Sequence, residues 1–170
     1  MRFLRNVWQK QLMECARILS KDLSKEAKSS RILALDIGES RTGVALSCVD
    51  RQHASPLQVL DTRQLCGNNK DIHTLLDDYE IDTVVVGLPL LADGSEGSQA
   101  RRTRNLAQKV LAGMDALNII FFDERQSSKT AKQAGHSIGL SEKDMRGKLD
   151  SHAAAAFLQI YLDTIDDQQL

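Results

Sequence analysis

A mixed α/β sheet of five strands, three antiparallel and then two parallel, flanked by helices, is predicted by three features of this chain. Apolar, strand-like runs follow one another over residues 31–63, with links too short for a crossover. Beyond residue 70 the pattern changes to helix, strand, helix, strand. The two later strands, DTVVVGL and NIIFFD, are continuous apolar runs, as expected of strands buried on both faces. Meandering strands give antiparallel pairs, and βα crossovers give parallel ones.

The elements follow in order. RILALDI is the first strand, residues 38–42 make a polar turn, and TGVALSC is the second strand, so that the short link favours an antiparallel hairpin. LQVLDTR, after Pro56, reads as the third strand. A helix over 71–79 places Ile72, Leu75 and Leu76 on one face. After the fourth strand comes the loop PLLADGSEGSQ, then a helix over 100–111 with Leu106, Ala107, Val110 and Leu111 inward. NIIFFD is followed by a helix over about 128–137 and a polar stretch, GLSEKDMRGK. The last helix, 149–163, packs through Ala153, Ala154, Phe157, Leu158, Tyr161 and Leu162. In such a sheet the site is expected at the carboxyl ends of the parallel strands.

One domain is expected, over residues 31–165, preceded by a helix and linker over residues 1–30. Within residues 1–30, Leu4, Val7, Trp8, Leu12, Cys15, Leu19 and Leu23 recur every three or four positions, as on an amphipathic helix. This segment is basic, with eight Lys/Arg through Arg31 against Glu14, Asp22 and Glu26, and SKEAKSS reads as a linker. An accessory helix, an overlong start before Met13 and a basic arm that tracks phosphates are the readings it allows.

The formal net charge of −1 excludes a strongly basic binder as a description of the whole chain. Aromatic residues, at 4%, are too few for a base-stacking platform of many rings. Cys15, Cys48 and Cys66 are odd in number and lack CxxC spacing, which points to reduced thiols and not to zinc. No apolar run approaches the ~20 residues of a membrane span, and no signal-peptide core is present, so a cytoplasmic address is expected.

Three carboxylates carry the candidate chemistry. Asp36 ends the first strand inside an apolar run, Glu124 follows NIIFFD, and Asp150 stands at the expected start of the last helix. Carboxylates that converge repel and raise one another's pKa unless a cation joins them. Mg²⁺ or Mn²⁺, which take oxygen ligands, would resolve this and serve phosphodiester hydrolysis. Taken singly, Asp150 could instead be a helix cap and Glu124 an ion-pair partner of Arg125. Gly38 and Gly43 flank a turn suited to phosphate, with Arg41 as a clamp. The loop with Gly94 and Gly97 leads into a helix start that carries Arg101, Arg102 and Arg104, of which two are expected to face an anionic ligand. The four histidines show no ligand spacing, and no Ser/His/Asp or Cys/His triad is readable.

The runs ALDIGESRTGVALS, ASPLQVL, VVVGLPLLADGSEGSQARRTRNLA, FFDERQSS and KLDSHAAAAFLQIYLD, in this order and spacing, resemble the YqgF/RuvX family. The resemblance covers residues 31–163. It implies a ribonuclease H-like fold and a nuclease, the family being described both as a pre-16S rRNA nuclease trimming the 5′ end of the precursor and as a Holliday junction resolvase. It also implies that Asp36, Glu124 and Asp150 form the acidic triad, with Asp36 bridging two metal ions, and that Arg41, Arg125 and the Gly94–Gly97 loop match further motif positions. Cys48 stands where the family often carries an aspartate, so no further acidic ligand is implied there. The expected partners are precursor rRNA or branched DNA, with the ribosome a further candidate. Precursor trimming needs only a monomer, whereas junction resolution needs a homodimer. Two other readings differ in class: an actin- or sugar-kinase-like ATP-binding protein, for which a single lobe is too small, and an inactive RNA- or ribosome-binding module.

Overall fold

The structure, a computed structural model, describes residues 30–123 and 142–167, the side chains of 142–148 and 167 excepted. Contacts divide the chain between Ser30 and Arg31, and the described strands and helices all belong to the second unit. The expectations for 1–29, and for a helix over 128–137, lie outside the described residues.

Five strands form one sheet in the order β3-β2-β1-β4-β5: β1 (Ile32–Ile37), β2 (Arg41–Ser47), β3 (Ala54–Asp61), β4 (Thr83–Leu88) and β5 (Asn118–Asp123). The β1–β2 and β2–β3 pairs are antiparallel, and β1–β4 and β4–β5 are parallel. The expected three-plus-two arrangement is therefore observed, with β4 between β1 and β5. Helices α1 (Thr62–Gly67), α2 (Lys70–Asp78) and α3 (Ser98–Val110) precede or follow β4, and α4 (Glu142–Asp167) ends the described chain.

Side-chain alternation along the strands sorts the core into two layers. Leu33, Leu35, Ile37, Val44, Leu46, Val84 and Val86 face α1, α2 and α3, meeting Leu65, Ile72, Leu75, Leu76, Ala107 and Val110. Ile32, Ala34, Ala45 and Val85 face α4, meeting Ala154, Ala155, Phe157, Leu158 and Leu162. The second layer is built from smaller strand residues, so α4 can lie close to the sheet.

Three boundaries differ from the sequence reading. The third strand begins at Ala54 and passes through Pro56, which an edge strand tolerates because its missing N–H interrupts no central ladder. A register shift opposite Val44 and Ala45 skips Leu57 there. The strand stops at Asp61, not Arg63, because the Asp61 carboxylate accepts from the N–H groups of Arg63 and Gln64 at 2.8 and 3.0 Å and so caps α1, which the sequence reading missed. The last helix starts at Glu142 and takes in most of the polar stretch assigned to a loop, so Asp150 lies inside it. Among the described residues no helix is long and apolar enough to cross a membrane.

Candidate active site at the carboxyl end of β1

Asp36 is the last even-numbered residue of β1 and lies on the α4 side of the sheet, following Ile32 and Ala34. Its cross-strand partner on β2 is Gly43. Directly opposed residues share a face, so the position beside Asp36 carries no side chain. A Cβ at Gly43 would overlap the carbonyl carbon and oxygen of Asp150 and come within 2.8 Å of the Ser151 nitrogen. The α4 backbone thus occupies the space that a side chain would fill. Gly43, read from sequence as one end of a phosphate turn, instead lets the helix deliver Asp150 next to Asp36.

On the other side of β1 the arrangement repeats. One residue past the last β1–β4 pair, Leu35 with Val86, Asp36 comes level with Gly87, which pairs in turn with Phe122 of β5. Gly87 follows Val85 on the α4 face. Asp36 is therefore flanked in the sheet by two glycines.

Asp36 senses the charge of Asp150. The Asp36 carboxyl is pushed from the usual 3.8 up to about 6, first by burial and then by the negative charge of Asp150. Arg41, on β2 and on the same face as Gly43, brings its Nε to 2.9 Å from Asp150 Oδ2. That oxygen is sealed from solvent and takes no hydrogen bond of acceptable geometry, so the contact is an ion pair only. Among the described residues, two acidic groups and one guanidinium gather in this partly buried place. Oxygen-only donors, a raised carboxyl pKa and a buried oxygen lacking a hydrogen bond suit a hard divalent cation of the Mg²⁺ or Mn²⁺ type. Among the described residues no group of three His, Cys, Asp or Glu gathers as a metal site. Glu124 and Arg125 lie outside the described residues.

A pH dependence follows. The folded chain holds the Asp36 proton more tightly than the unfolded chain does. Without divalent metal, the contribution of this group to stability is intact below about pH 4 and is lost as the pH rises through 6. The full shift corresponds to about 3 kcal/mol. Asp36→Asn cannot ionise there, so in EDTA its advantage over wild type in urea unfolding should grow from near zero at pH 4 to about 3 kcal/mol at pH 7. A pH-independent difference would show that Asp36 is not held in this environment.

The remaining predicted residues surround this point unequally. The β1–β2 turn is closed by the Gly38 N–H donating to the Arg41 carbonyl at 2.9 Å, which commits a donor expected to face an anion. The Ser40 carbonyl accepts from Thr62 N–H at 3.1 Å, tying α1 to this turn. Arg102 reaches Glu39 at 3.0 Å, both side chains being well exposed, and so links the start of α3 to the same turn. Arg101 is exposed in the first turn of α3. Arg104 turns elsewhere: its Nε donates to both Glu96 oxygens at 2.9 and 3.1 Å, and its guanidinium lies 4.1 Å from the Phe121 ring centroid. This clamp ties the glycine-rich loop to β5, a role that the sequence reading did not assign.

The loop is organised largely by its own hydrogen bonds. Gly94 N–H donates to the Leu91 carbonyl and Leu91 N–H to the Ser95 carbonyl, at 2.8 and 2.9 Å, while Ser95 N–H and Oγ both bond Asp93 Oδ1. Gly94 takes φ +86°, where a side chain would be strained. Gly97 stands at the N-cap of α3 with no side-chain cap on the helix.

Comparisons with known proteins point to one family. A protein of Anaeromyxobacter sp. (strain Fw109-5), described as "Putative pre-16S rRNA nuclease", is 40% identical over 133 residues, covering 78% of this chain and 96% of its own. Proteins of the same description from Roseiflexus sp. (strain RS-1) and Sulfurihydrogenibium sp. (strain YO3AOP1) are 35% and 37% identical, covering 97% and 92% of their own lengths. Among solved structures, Thermus thermophilus RuvC in complex with a Holliday junction substrate superposes with a TM-score of 0.53 at 15% identity, over 81% of this chain and 96% of that one. At that identity the likeness establishes the ribonuclease H-like fold and nothing finer. Residues 30–164, from two residues before β1 to within three residues of the end of α4, match the family described as "RuvX: Holliday junction resolvase", and with relatives this similar over nearly their full length the chain belongs to the RuvX family.

Proposed function

We propose that the chain is a divalent-metal-dependent nuclease that hydrolyses phosphodiesters, and that it processes the 5′ end of pre-16S rRNA. The observation that carries this reading is the meeting of Asp36 and Asp150 across Gly43, with one carboxyl raised in pKa and one carboxylate oxygen buried without a hydrogen bond. Asp36 and Asp150 hold the cation in this reading, and Glu124 completes the set. A bound Mg²⁺ or Mn²⁺ supplies Lewis acidity for water attack at phosphorus and for the leaving oxygen. Arg41, Arg101, Arg102 and Arg125 hold the phosphate backbone, and the Gly94–Gly97 loop borders it.

The names of the curated relatives favour RNA, whereas the family description and the RuvC likeness keep a four-way DNA junction as the second reading. The test is to incubate the protein with labelled precursor rRNA and with a labelled four-way junction, in Mg²⁺ and in Mn²⁺, while its mass in solution is measured. Trimming of the precursor by a monomer is expected. Junction cleavage by a dimer, with the precursor untouched, would move the substrate to DNA. No cleavage of either in any metal would sink the nuclease reading and leave a binding module.

A further inference from the structure

Arg41 stands at the candidate site in an unusual way. Its Nε lies 2.9 Å from Asp150 Oδ2, yet the geometry is not that of a hydrogen bond, so the guanidinium offsets the charge of this oxygen without engaging its lone pairs. The pair is asymmetric: the Arg41 side chain is 53% exposed and that of Asp150 only 27%. Arg41 begins β2, directly after the turn, and its carbonyl closes that turn. Its long stem therefore arrives from the rim, while Asp150 is fixed from below by the helix backbone resting on Gly43. An oxygen held by a rigid helix and faced by a half-exposed cation on a long stem is an oxygen that a second cation can contest.

The geometry points to Arg41 as a positioning residue shared between Asp150 and the phosphodiester. Without substrate it is the counter-ion of Asp150 and competes with the divalent cation for Oδ2. A substrate phosphate, which accepts two parallel N–H bonds from a guanidinium, draws Arg41 off and leaves the oxygen to the metal. Because binding effects are reciprocal, metal and substrate then favour each other. This inference rests on the nuclease reading above and adds to it a coupling between metal and substrate that the acidic residues alone do not impose.

The test uses the full chain, free of metal, and follows the Arg41 Nε–H signal by nuclear magnetic resonance, assigned by its loss in R41K. Saturating Mg²⁺ should move that signal, and a short RNA with phosphorothioate linkages, added without metal, should move it as well. In parallel, Mn²⁺ affinity is measured by electron paramagnetic resonance. R41Q should bind Mn²⁺ about tenfold more tightly than wild type, a typical size for coupling between sites. K109Q, which removes an exposed charge in the last turn of α3, should change the affinity less than twofold. Metal-free R41Q should also unfold at a lower temperature than wild type and R41K, and gain more from Mn²⁺ than either. An Arg41 signal that ignores saturating Mg²⁺, unchanged or weaker Mn²⁺ binding by R41Q, or an equal gain in K109Q would overturn the competition. D36N separates the two levels. If D36N binds Mn²⁺ as wild type does, the metal-site reading itself fails. If D36N loses Mn²⁺ while R41Q matches wild type, only the role of Arg41 falls.

Discussion

Asp36→Asn is expected to lower Mg²⁺- or Mn²⁺-dependent cleavage by about a thousandfold or more while the chain stays folded. The cause is charge. Asparagine keeps the shape and one oxygen but cannot supply the negative charge that holds a divalent ion beside Asp150. Metal-ion catalysis contributes several kcal/mol of transition-state stabilisation. At about 1.4 kcal/mol per tenfold in rate, losing most of it removes about three orders of magnitude. The substitution also relieves a buried carboxyl whose pKa stands near 6, so the metal-free protein should become more stable at neutral pH as activity disappears. Loss of activity together with a gain in stability separates a site residue from a structural one. Single-turnover cleavage and urea unfolding on the same preparation would measure both, and cleavage by Asp36→Asn at the wild-type rate would remove Asp36 from the site.

Gly43→Ala is the second large effect, and it comes from packing alone. The added carbon meets the carbonyl group of Asp150 and the nitrogen of Ser151, which are helix backbone and cannot rotate away. Overpacking commonly costs about 1–3 kcal/mol, and a clash with backbone belongs at or above the top of that range. For a domain of this size about 3 kcal/mol is a fall in Tm of roughly 10 °C. Because α4 must lift where it carries Asp150, activity should fall by more than the loss of folded protein explains. Gly67→Ala is the matched control: nothing lies within 4 Å of its added carbon, and the residue ends α1. It should be neutral, or stabilising by up to about 1 kcal/mol. Calorimetry on the two variants would decide the matter, and equal Tm values would contradict the close approach of α4.

Much of the fold was legible because apolar pattern and link length are local. DTVVVGL had to be a buried central strand, and the short link after ILALDI had to be a hairpin turn. Helix α1 escaped because six residues are too few for a helical period to show, although Asp61 before Thr62 is a cap signal in the sequence itself. The start of α4 escaped for a related reason: EKDMRGK carries no apolar stripe, so its helical state is invisible to periodicity. At the site, Asp36 was legible as a carboxylate within an apolar strand. The meaning of Gly43 was not, because a glycine that serves a turn and one that admits a helix look alike in one dimension. Nor does spacing reveal that Arg104 belongs to Glu96 and Phe121 while Arg41 belongs to Asp150. Those pairings exist only once the sheet sets β5 beside β4 and α4 across β2.

The central claim is that carboxylates distant in sequence meet to hold a divalent cation. Crystals grown with Mn²⁺ test it most directly, through the anomalous scattering of the metal. Convergence predicts a peak on the α4 side of the sheet, about 2.2 Å from oxygens of both Asp36 and Asp150, with Glu124 joining them. A fully loaded crystal with no peak between Asp36 and Asp150, or with Mn²⁺ only on exposed surface carboxylates, would contradict it.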